Sequence, residues 1–316
     1  MTEPKVVPYE RWLRRVLKRE EHDMRIARSV AMLQGQRVLV TGSAGSVGHR
    51  VGEWLESAKV DWLGVDLAPA ANTVQGDVTE WQFAHQAGIK MEPSVVIHCA
   101  GAKHAPEGEL DPLGVATTNV LGTSSVLGLA KTYGAFVVTL STCKACDPET
   151  AYGASKLIAE RMTLSAGGAV ARLYNVVQSS GNVFERWFEA ESNGERPQVM
   201  VADRRFITLD EAVGLVLRVA AEREPGRYSV AGVHSTSMHQ VVDDIWPGRK
   251  EFFETVPRRR GDRRVEPELA RCERSERWAH DCPIVRVTSE HDVDGVRRDP
   301  VEARLISTPE YERAVR

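Results

Sequence analysis

The glycine-rich turn near the start of the chain constrains the fold more than any other feature of the sequence. The run VLVTGSAGSVG places three glycines at a G-x-x-G-x-x-G spacing, namely Gly42, Gly45 and Gly48. An apolar, β-branched run from Gln36 to Thr41 precedes the turn, and a helical segment from about Val47 to Ser57 follows it. Glycines in such a turn let the backbone approach a pyrophosphate, which then lies at the helix N-terminus. The sequence therefore predicts a strand–turn–helix unit that binds a dinucleotide.

The alternation of strands and helices continues through the first half of the chain. Further strands are predicted at Val60 to Val65, Ser94 to Cys99, Ala135 to Ser141 and Val170 to Val176, with helices at Val115 to Thr132 and through Lys156 to about Ser165. This β-α-β order is typical of a doubly wound parallel sheet, and we predict an α/β fold of the Rossmann type. A chain of 316 residues suits one such domain with a smaller substrate-binding region.

Three regions are predicted along the chain. Residues 1–34 form an N-terminal helical arm, with one helix predicted over residues 9–33 because apolar residues recur there at helical spacing. Residues 35–173 form the dinucleotide-binding Rossmann domain. Residues 174–316 are more polar and irregular, and form mainly a substrate-binding region with returning Rossmann elements. We expect the arm to pack on the body of the protein or on another subunit.

Composition and charge exclude several classes of function. The net charge of −3 gives no reason to expect a nucleic-acid or anionic-membrane partner. No apolar run approaches the ~20 residues that cross a bilayer, and residues 1–17 lack the apolar core of a secretory signal. Five cysteines without a framework spacing fit a reducing compartment. We therefore expect a cytoplasmic protein that acts on a small molecule, with no nucleic-acid or membrane partner.

A carboxylate at the end of the second predicted strand distinguishes between two cofactors. Asp66 lies 18 residues after Gly48. A carboxylate at this place accepts hydrogen bonds from the adenosine ribose hydroxyls and repels a 2′-phosphate, so NAD is favoured over NADP. The alternative is a solvated turn residue. Asp77 and Val78 follow where a loop that contacts adenine is expected.

Tyr152 and Lys156 predict the reaction centre. Their Y-x-x-x-K spacing puts both side chains on one face of a helix. A neighbouring ammonium group and the positive nicotinamide ring favour the phenolate form of tyrosine. A phenolate can accept a hydroxyl proton while hydride leaves for NAD. Because the pair follows a glycine turn and a strand that ends at Ser141 and Thr142, we predict an NAD-dependent enzyme.

Longer segments along the chain carry a resemblance to a known family. They are HCAGAKHAP (His98 to Pro106), NVLGT (Asn119 to Thr123), STCKACDPETAYGASK (Ser141 to Lys156), RLYNVVQSSGNV (Arg172 to Val183) and RRFITLDEAV (Arg204 to Val213). From about Gly35 to about Val287 the chain resembles the extended short-chain dehydrogenases/reductases. Within that group it resembles the UDP-N-acetylglucosamine 4,6-dehydratases of polysaccharide and glycan biosynthesis. The run RRRGDRRVEPEL (Arg258 to Leu269) resembles a degraded form of that family's Arg-Pro-Gly-Glu-Lys motif.

The resemblance, together with the glycine turn, implies a set of contacts to NAD. They are Gly42, Ser43, Gly45, Ser46, Val47, Gly48, Asp66, Asp77, Val78, Cys99, Ala100, Gly101, Lys103, Asn119, Ser141, Tyr152 and Lys156. Dimers through the helices that flank Tyr152 are usual for the fold class, so a homo-oligomer is expected by analogy.

The resemblance also implies a redox cycle on a hexose. Hydride leaves C4, a base removes the C5 proton, the C6 hydroxyl leaves as water, and hydride returns. In this cycle Thr142 helps to hold the sugar O4, Lys144 is the C5 base, and Cys143 occupies the place of the family's acidic aspartate. The implied substrate contacts are Lys103, His104, Asn175, Arg204 and Arg259.

Cys143 is the departure from the family pattern that bears most on the product. A thiol is protonated at neutral pH, but it is a weaker acid than a carboxylic acid and hydrogen-bonds poorly. Nucleotide-sugar 5,6-dehydratases of nucleoside-antibiotic pathways also carry Cys here; in them hydride returns to C4 and leaves a 5,6-ene. We therefore expect an NAD-dependent lyase, a dehydratase of a nucleotide- or nucleoside-linked hexose, with a 5,6-ene favoured over a 4-keto-6-deoxy product. The alternative for Cys143 is neutral drift in an enzyme that uses water as the acid.

Other functions stay open at this point. A C4 or C5 epimerase would use the same cofactor cycle, a net dehydrogenase would release NADH, and a non-catalytic NAD-binding regulatory protein would keep only the fold. Cys143 and Cys146 also form a C-x-x-C pair, the pattern of a redox dithiol or half a zinc site. Because no second such pair and no suitable histidine pair accompany it, we expect no metal.

Overall fold

The strands are the framework of the computed structural model, which describes residues 8–103, 105–259, 262–289 and 292. In chain order they are β1 (Arg37–Thr41), β2 (Asp61–Asp66), β3 (Thr73–Gln75), β4 (Val95–His98), β5 (Phe136–Thr142), β6 (Ala169–Leu173), β7 (Asn175–Val176), β8 (Gln198–Met200), β9 (Asp203–Ile207), β10 (Gly226–Val230), β11 (Ser235–Ser237), β12 (Glu254–Val256), β13 (Glu273–Arg277) and β14 (Ile284–Ser289).

The helices lie mostly between these strands. They are α1 (Leu13–Leu17), α2 (Ile26–Ala31), α3 (Ser46–Ser57), α4 (Trp81–Met91), α5 (Ala105–Leu110), α6 (Pro112–Ala116), α7 (Gly122–Tyr133), α8 (Ala151–Ser165), α9 (Val183–Ser192), α10 (Leu209–Glu222) and α11 (Met238–Ile245). Short 3₁₀ turns occupy Tyr9–Arg11, Cys143–Ala145 and Lys250–Phe252, and a π-helical segment, Thr117–Leu121, joins α6 to α7.

The main sheet is doubly wound, as the sequence predicts. Among the described residues its strand order is β13-β14-β10-β6-β5-β4-β1-β2-β3. Neighbours from β3 to β10 are parallel, whereas β14 and β13 are antiparallel additions at one edge. The chain turns from β3 back across β1 to β4, so the strand order reverses between β1 and β4. The carboxyl ends of the strands at such a reversal form a crevice where ligands bind.

Both faces of the main sheet are covered by helices, which explains why its strands read as continuous apolar runs. Side chains alternate along β1. Val38 and Val40 belong to one apolar core with residues of α3 and α10, while Leu39 packs on the opposite face of the sheet with residues of α4 and α7. The predicted Rossmann architecture is therefore confirmed at the level of layers and strand order.

The strand predicted from Val170 to Val176 is wrong as a single element. The main-sheet strand β6 ends at Leu173, and β7 pairs with β9 in a separate three-stranded sheet of order β11-β9-β7. The polar side chain of Asn175 accounts for the break. Its amide nitrogen donates to the carbonyl of Arg205 at 2.9 Å and to the carboxylate of Glu266 at 2.7 Å. These partners lie outside the main sheet, so the chain leaves it.

A second apolar core lies beside the main sheet and carries the substrate side of the molecule. It is rich in aromatic rings from α9, α11 and the loops around them, and Trp12 of the N-terminal arm stacks on Phe184 with ring centroids 4.9 Å apart. Its buried members are Trp12, Val16, Leu17, Val177, Phe184, Trp187, Val199, Ala202, Phe206, Met238, Val241, Val242, Ile245, Trp246 and Phe253.

The single helix predicted for residues 9–33 is wrong; the arm contains two short helices, α1 and α2. Lys18 ends α1 with φ at +55°. After it, the Arg19 guanidinium forms an ion pair with Glu211 of α10, and the His22 backbone N–H donates to the same carboxylate at 2.8 Å. These polar contacts to α10 replace a further helical turn. The arm therefore packs on the body of its own chain.

One helical stretch among the described residues, Pro112–Tyr133, has the length and apolarity of a membrane-crossing helix, with 22 residues and a mean hydropathy of 1.3. The sequence analysis finds no apolar run of this length, because Thr117, Thr118 and Asn119 interrupt it. In the structure α7 contacts β4, β5, α4 and α8, and α6 contacts α8. The stretch is thus part of the helical layer over the sheet, and the cytoplasmic location stays a prediction.

Large apolar side chains are exposed on the helices near Tyr152. Leu113 of α6, Leu121 of the π-helical segment and Ile158 of α8 are 76%, 55% and 48% exposed. These helices flank the predicted reaction centre, where a second copy is expected by analogy. The homo-oligomer stays a prediction.

A buried ionic cluster ties α8 to the sheet. Glu160 of α8 is fully buried and accepts from Arg172 of β6 at 2.7 Å and from Arg227 of β10 at 2.9 Å. Ser141 donates to Glu160 at 2.6 Å, and Arg172 also binds Glu273 of β13 at 2.7 Å. Burial alone raises the pKa of Glu160, but the charges of the two arginines outweigh it and hold the pKa below its usual value. The cluster therefore stabilises the fold above the unfolded-state glutamate pKa of about 4.3, and this contribution is lost as pH falls through the folded value.

Glu160→Gln should destabilise the protein strongly. It leaves two buried guanidinium groups without their shared carboxylate, and breaking a buried ion pair costs about 3–5 kcal/mol. Denaturant unfolding at neutral pH measures the free energy of unfolding. The control is Glu276→Gln on the exposed side of β13, which should change stability by less than about 0.5 kcal/mol. A Glu160→Gln protein as stable as this control would contradict the role given to the cluster.

Candidate active site

A cavity of about 1180 Å³ opens at the carboxyl ends of the parallel strands. One half is lined by the glycine turn, the end of β2 and the loop after β4. The other half is lined by the start of β7, by α9 and by residues of the second apolar core. Tyr152, Lys156, Thr142 and Lys144 line the wall between the two halves. The cavity therefore brings the predicted cofactor turn and most of the predicted reaction centre together.

The glycine turn has the backbone geometry that its sequence predicts. Gly42 has φ at +70°, and a side chain there would overlap the backbone of Ala100. A side chain at Gly48 would overlap the carbonyl oxygen of Gly42. At Gly45, just before α3, an added Cβ would meet only the Gly42 carbonyl, at 3.3 Å. Gly42 and Gly48 thus hold the turn tight, while Gly45 leaves open space at the helix N-terminus that fits a pyrophosphate.

The carboxylate of Asp66 lies beside this turn. It accepts a hydrogen bond from the Ala44 N–H at 3.0 Å and one from the Ala68 N–H at 2.9 Å. Asp66, Asp77 and Val78 all line the cavity. The arrangement fits the adenosine ribose of a dinucleotide without a 2′-phosphate.

A loop from the substrate side closes against the cofactor half. Lys103 Nζ donates to the Ser180 carbonyl at 2.7 Å, and the Ser180 N–H donates to the Ser46 hydroxyl at 2.9 Å. Ser46 is the first residue of α3. Lys103 is thus already bonded to protein, at the boundary between the two halves of the cavity.

Ser43, Ser141 and Asn119, three more of the predicted NAD contacts, also have their side chains bonded to protein. Ser43 is buried, with its hydroxyl 2.9 Å from that of Thr73. Ser141 donates to Glu160, as described above. The Asn119 amide nitrogen donates to Ser155 at 2.9 Å. Ser43 and Asn119 are absent from the cavity lining. The remaining predicted contacts, Val47, Cys99, Ala100 and Gly101, line the cofactor half.

Tyr152 and Lys156 lie on one face of α8, towards the cavity. Burial raises the pKa of Tyr152, and Lys144 and a hydrogen bond with Thr142 lower it in part. In this state the charge that most opposes burial at Tyr152 is thus that of Lys144, whereas Lys156 is the source expected from the sequence. Lys156 donates to the Leu140 carbonyl at 3.2 Å, and burial lowers its pKa to about 8.

Lys144 is held by a carboxylate that the sequence analysis does not name. Its Nζ lies 2.7 Å from Glu266 Oε1 and donates to Asn175 Oδ1 at 3.1 Å. Burial alone lowers the pKa of Lys144, but the charge of Glu266 outweighs it and raises the pKa above its usual value. Lys144 is therefore an ammonium group at neutral pH in this state.

The Cys143 thiol is fully buried and is not among the residues that line the cavity. The thiol is therefore not open to the cavity in this structure, and its place beside C6 of a sugar stays a prediction. Its Sγ lies 3.6 Å from Glu266 Oε2, and burial raises its pKa to about 12. The reason is local, because Cys143 begins the 3₁₀ turn after β5 and points into the protein. Cys143 and Cys146 are both free thiols.

The predicted substrate residues that the structure describes are brought to the same region. Asn175 bridges Lys144 and Glu266. Arg204 is buried and lies 3.3 Å from Glu266. Arg259 is exposed at the cavity rim and pairs with Asp262 at 3.0 Å. His104 lies outside the described residues.

Glu266 and Ser180 are among the polar residues of the site that the sequence did not lead us to predict. Glu266 lies in the segment from Arg258 to Leu269, whose resemblance to a family motif is the signal that could have found it. Ser180 lies in the matching run Arg172 to Val183, but nothing in the sequence links it to Ser46. Among the described residues, no three His, Cys, Asp or Glu side chains come together in a way that could hold a metal ion.

Comparison with known proteins gives related enzymes at low identity. A UDP-N-acetylglucosamine 4,6-dehydratase (inverting) of Campylobacter jejuni is 28% identical over 245 residues, covering 68% of this chain and 72% of that protein. A UDP-glucose 4-epimerase of Rickettsia rickettsii is 26% identical over 256 residues, covering 70% of this chain and 74% of that protein. Relatives of both kinds thus align with most of the chain.

A solved structure and a family match complete the comparison. MoeE5 in complex with UDP-glucose and NAD superposes with a TM-score of 0.66 at 21% identity, covering 74% of this chain and 90% of that one. This likeness supports the Rossmann-type fold. Residues 64–281, more than half of the chain, match the family described as "Polysaccharide biosynthesis protein". The chain therefore belongs to the polysaccharide biosynthesis protein family.

Proposed function

We propose that the protein is an NAD-dependent dehydratase that acts on a hexose linked to a nucleotide or nucleoside. The observation that carries the proposal is that Tyr152, Thr142, Lys156 and Lys144 line one cavity with the glycine turn. The relatives add support, because the Campylobacter protein is a dehydratase of a nucleotide sugar and MoeE5 holds NAD and UDP-glucose. NAD, when bound, accepts the hydride of C4 and returns it.

The residues of the wall have distinct roles in this proposal. Thr142 shares a hydrogen bond with Tyr152, so the two hydroxyls can hold the sugar O4 together. Tyr152 accepts the O4 proton, and the positive charges of Lys144 and of the nicotinamide ring oppose the burial that raises its pKa. Lys156 lies on the same face of α8 as Tyr152 and orients the groups that react there. Lys144 lies on the substrate side of Tyr152 and is the group that exchanges a proton with C5.

The favoured product is a 5,6-ene rather than a 4-keto-6-deoxy sugar. The support is that position 143 offers a buried thiol with its pKa raised to about 12, in the place of the acidic aspartate of the resembled family. With no carboxylic acid at this position, we expect hydride to return to C4 rather than to C6.

A C4 or C5 epimerase is the second candidate. The same observation favours it, because a thiol with a raised pKa is a poor donor for loss of the C6 hydroxyl. The Rickettsia relative is an epimerase of UDP-glucose. An epimerase would give a product of unchanged mass.

The first test is mass spectrometry of the protein with NAD and a panel of UDP-hexoses and hexose nucleosides. We expect a product lighter by one water. Tyr152→Phe should slow this reaction by about 10²–10⁴-fold, because it removes the acid–base group. Tyr133→Phe on α7 is the matched control and should react at the wild-type rate. A product of unchanged mass would establish the epimerase instead.

Gly48→Ala should weaken NAD binding more than tenfold, or by about 1.4 kcal/mol. Its Cβ would displace the Gly42 carbonyl and open the turn. Titration calorimetry with NAD measures the affinity. Gly128→Ala on α7 is the control, since nothing lies within 4 Å of the added Cβ. Equal affinities of the two variants for NAD would contradict the placement of the cofactor.

Cys143→Asp should shift the product towards the 4-keto-6-deoxy sugar, because a carboxylic acid is a stronger proton donor than a thiol. NMR distinguishes the two products, since one has a new methyl group and the other an exocyclic methylene. Cys143→Ser adds no carboxyl group and should leave the product ratio unchanged. If Cys143→Asp yields only the 5,6-ene, position 143 does not decide the outcome.

A further inference from the structure

Glu266 is a buried carboxylate at the centre of the proposed site. It lies in the segment between β12 and β13, and its side chain is 1% exposed although the residue lines the cavity. Burying a carboxylate is costly unless it is paired and hydrogen-bonded. Its partners therefore indicate what the charge is used for.

The two carboxylate oxygens of Glu266 face different groups. Oε1 lies 2.7 Å from Lys144 Nζ and 3.3 Å from Arg204 Nε. Oε2 accepts from the Asn175 amide at 2.7 Å and lies 3.6 Å from Cys143 Sγ. One oxygen thus faces two cations, and the other faces two neutral groups. Because the Cys143 thiol is neutral, it leaves Glu266 as the charged carboxylate beside Lys144.

The charges around the pair come from several elements. Tyr152 faces Lys144 from α8, and Arg204 faces Glu266 from β9 and lies 3.7 Å from Asp262. Arg205 donates to the Glu266 backbone carbonyl at 2.7 Å. Burial alone raises the pKa of Glu266, but Lys144 and Arg204 outweigh it and lower the pKa. The resting pair is therefore an ammonium and a carboxylate, and an ammonium group cannot accept the C5 proton.

We propose that Glu266 is the positioning residue that takes the proton from Lys144 before C5 is deprotonated and returns it afterwards. This role rests on the proposed function. It requires no movement of either side chain, because the donor and acceptor atoms are already 2.7 Å apart. It also agrees with the burial of Glu266, which acts through Lys144 and does not touch the sugar.

The proton transfers balance without solvent. The Lys144 ammonium gives one proton to the Glu266 carboxylate and becomes an amine. The amine takes the C5 proton, and the C5–H electron pair forms the C5–C6 double bond as the C6–O bond breaks. The new ammonium gives this proton to the leaving hydroxide, which departs as water. The Glu266 carboxylic acid then returns its proton to the Lys144 amine.

The test is the pH dependence of water loss in Glu266→Gln, measured in single turnovers of a hexose nucleotide that the wild type dehydrates. The wild-type rate should be nearly independent of pH across the neutral range, because the pair keeps one proton in total. In Glu266→Gln, Lys144 must lose its proton to solvent. Water loss should then rise about tenfold per pH unit below the pKa of the unpaired lysine. Reduction of NAD by the substrate, in which Tyr152 rather than Lys144 accepts the proton, should rise less steeply with pH than water loss.

The control is Glu268→Gln, two residues further on. The Glu268 carboxylate is exposed and pairs with Arg205 at 3.5 Å, so this variant should keep the wild-type pH dependence. If Glu266→Gln loses water more slowly at every pH but keeps the wild-type pH dependence, then Glu266 has only a structural role and the proposal is overturned.

A second variant tests the proposal if Glu266→Gln does not fold. Glu266→Asp keeps the carboxylate at a greater distance from Lys144, and it should retain pH-independent water loss at a lower rate. If the rate of water loss by Glu266→Asp rises with pH as steeply as we expect for Glu266→Gln, the proposed role of the carboxylate is overturned. If the wild type dehydrates no hexose nucleotide, the proposed function fails in the wild type itself, and the role of Glu266 falls with it.

Discussion

The pairing of Glu160 with Arg172 and Arg227 is the interaction on which the position of the reaction centre depends. Tyr152, Lys156 and Glu160 follow one another at four-residue intervals and so share one face of α8. The first two reach the cavity, while the third is anchored to β6 and β10. A helix fixed by two buried ion pairs has little freedom to slide or rotate over the sheet. The placement of the phenol and the ammonium therefore follows from charges more than one helical turn away.

The end of β5 separates two networks of buried charge. Ser141 and Thr142 are consecutive, so their side chains point to opposite sides of the strand. Ser141 joins the cluster of Glu160, and Thr142 joins Tyr152. The charges of the first network are paired with one another inside the protein, and this network stabilises the fold. The second, built on Lys144 and Glu266, borders the cavity, and in the role proposed for Glu266 it holds the proton that is transferred. Because the two networks lie on opposite sides of the strand, the first can be rigid while the second takes part in the proposed reaction.

The fold could be predicted from the sequence because its signals are local. The glycine turn, the apolar strands and the Tyr152–Lys156 spacing each depend on residues close together in the chain. The predictions that were wrong depend on contacts between residues that lie far apart in the chain. The arm is not one helix because Arg19 binds Glu211, and β6 ends early because Asn175 binds Glu266. Lys144 is charged in this state because Glu266, more than a hundred residues away in the chain, lies beside it. No periodicity records such a contact. Cys143 turns inward with the short 3₁₀ turn after β5, which the pattern of strands and helices does not predict.

The N-terminal arm has a consequence for the way the chain reaches its fold. Its apolar residues complete both cores, with Trp12 in the second core and Leu33 in the first. Its ion pair joins residues 192 positions apart. At a synthesis rate of ~5–20 residues per second, the arm waits about 10–40 s for the partner of Arg19 to be made. During that time its tryptophan and leucines are uncovered. The arm is thus buried late relative to its synthesis, and until its partners are made it is exposed to chaperones and to aggregation on the ribosome.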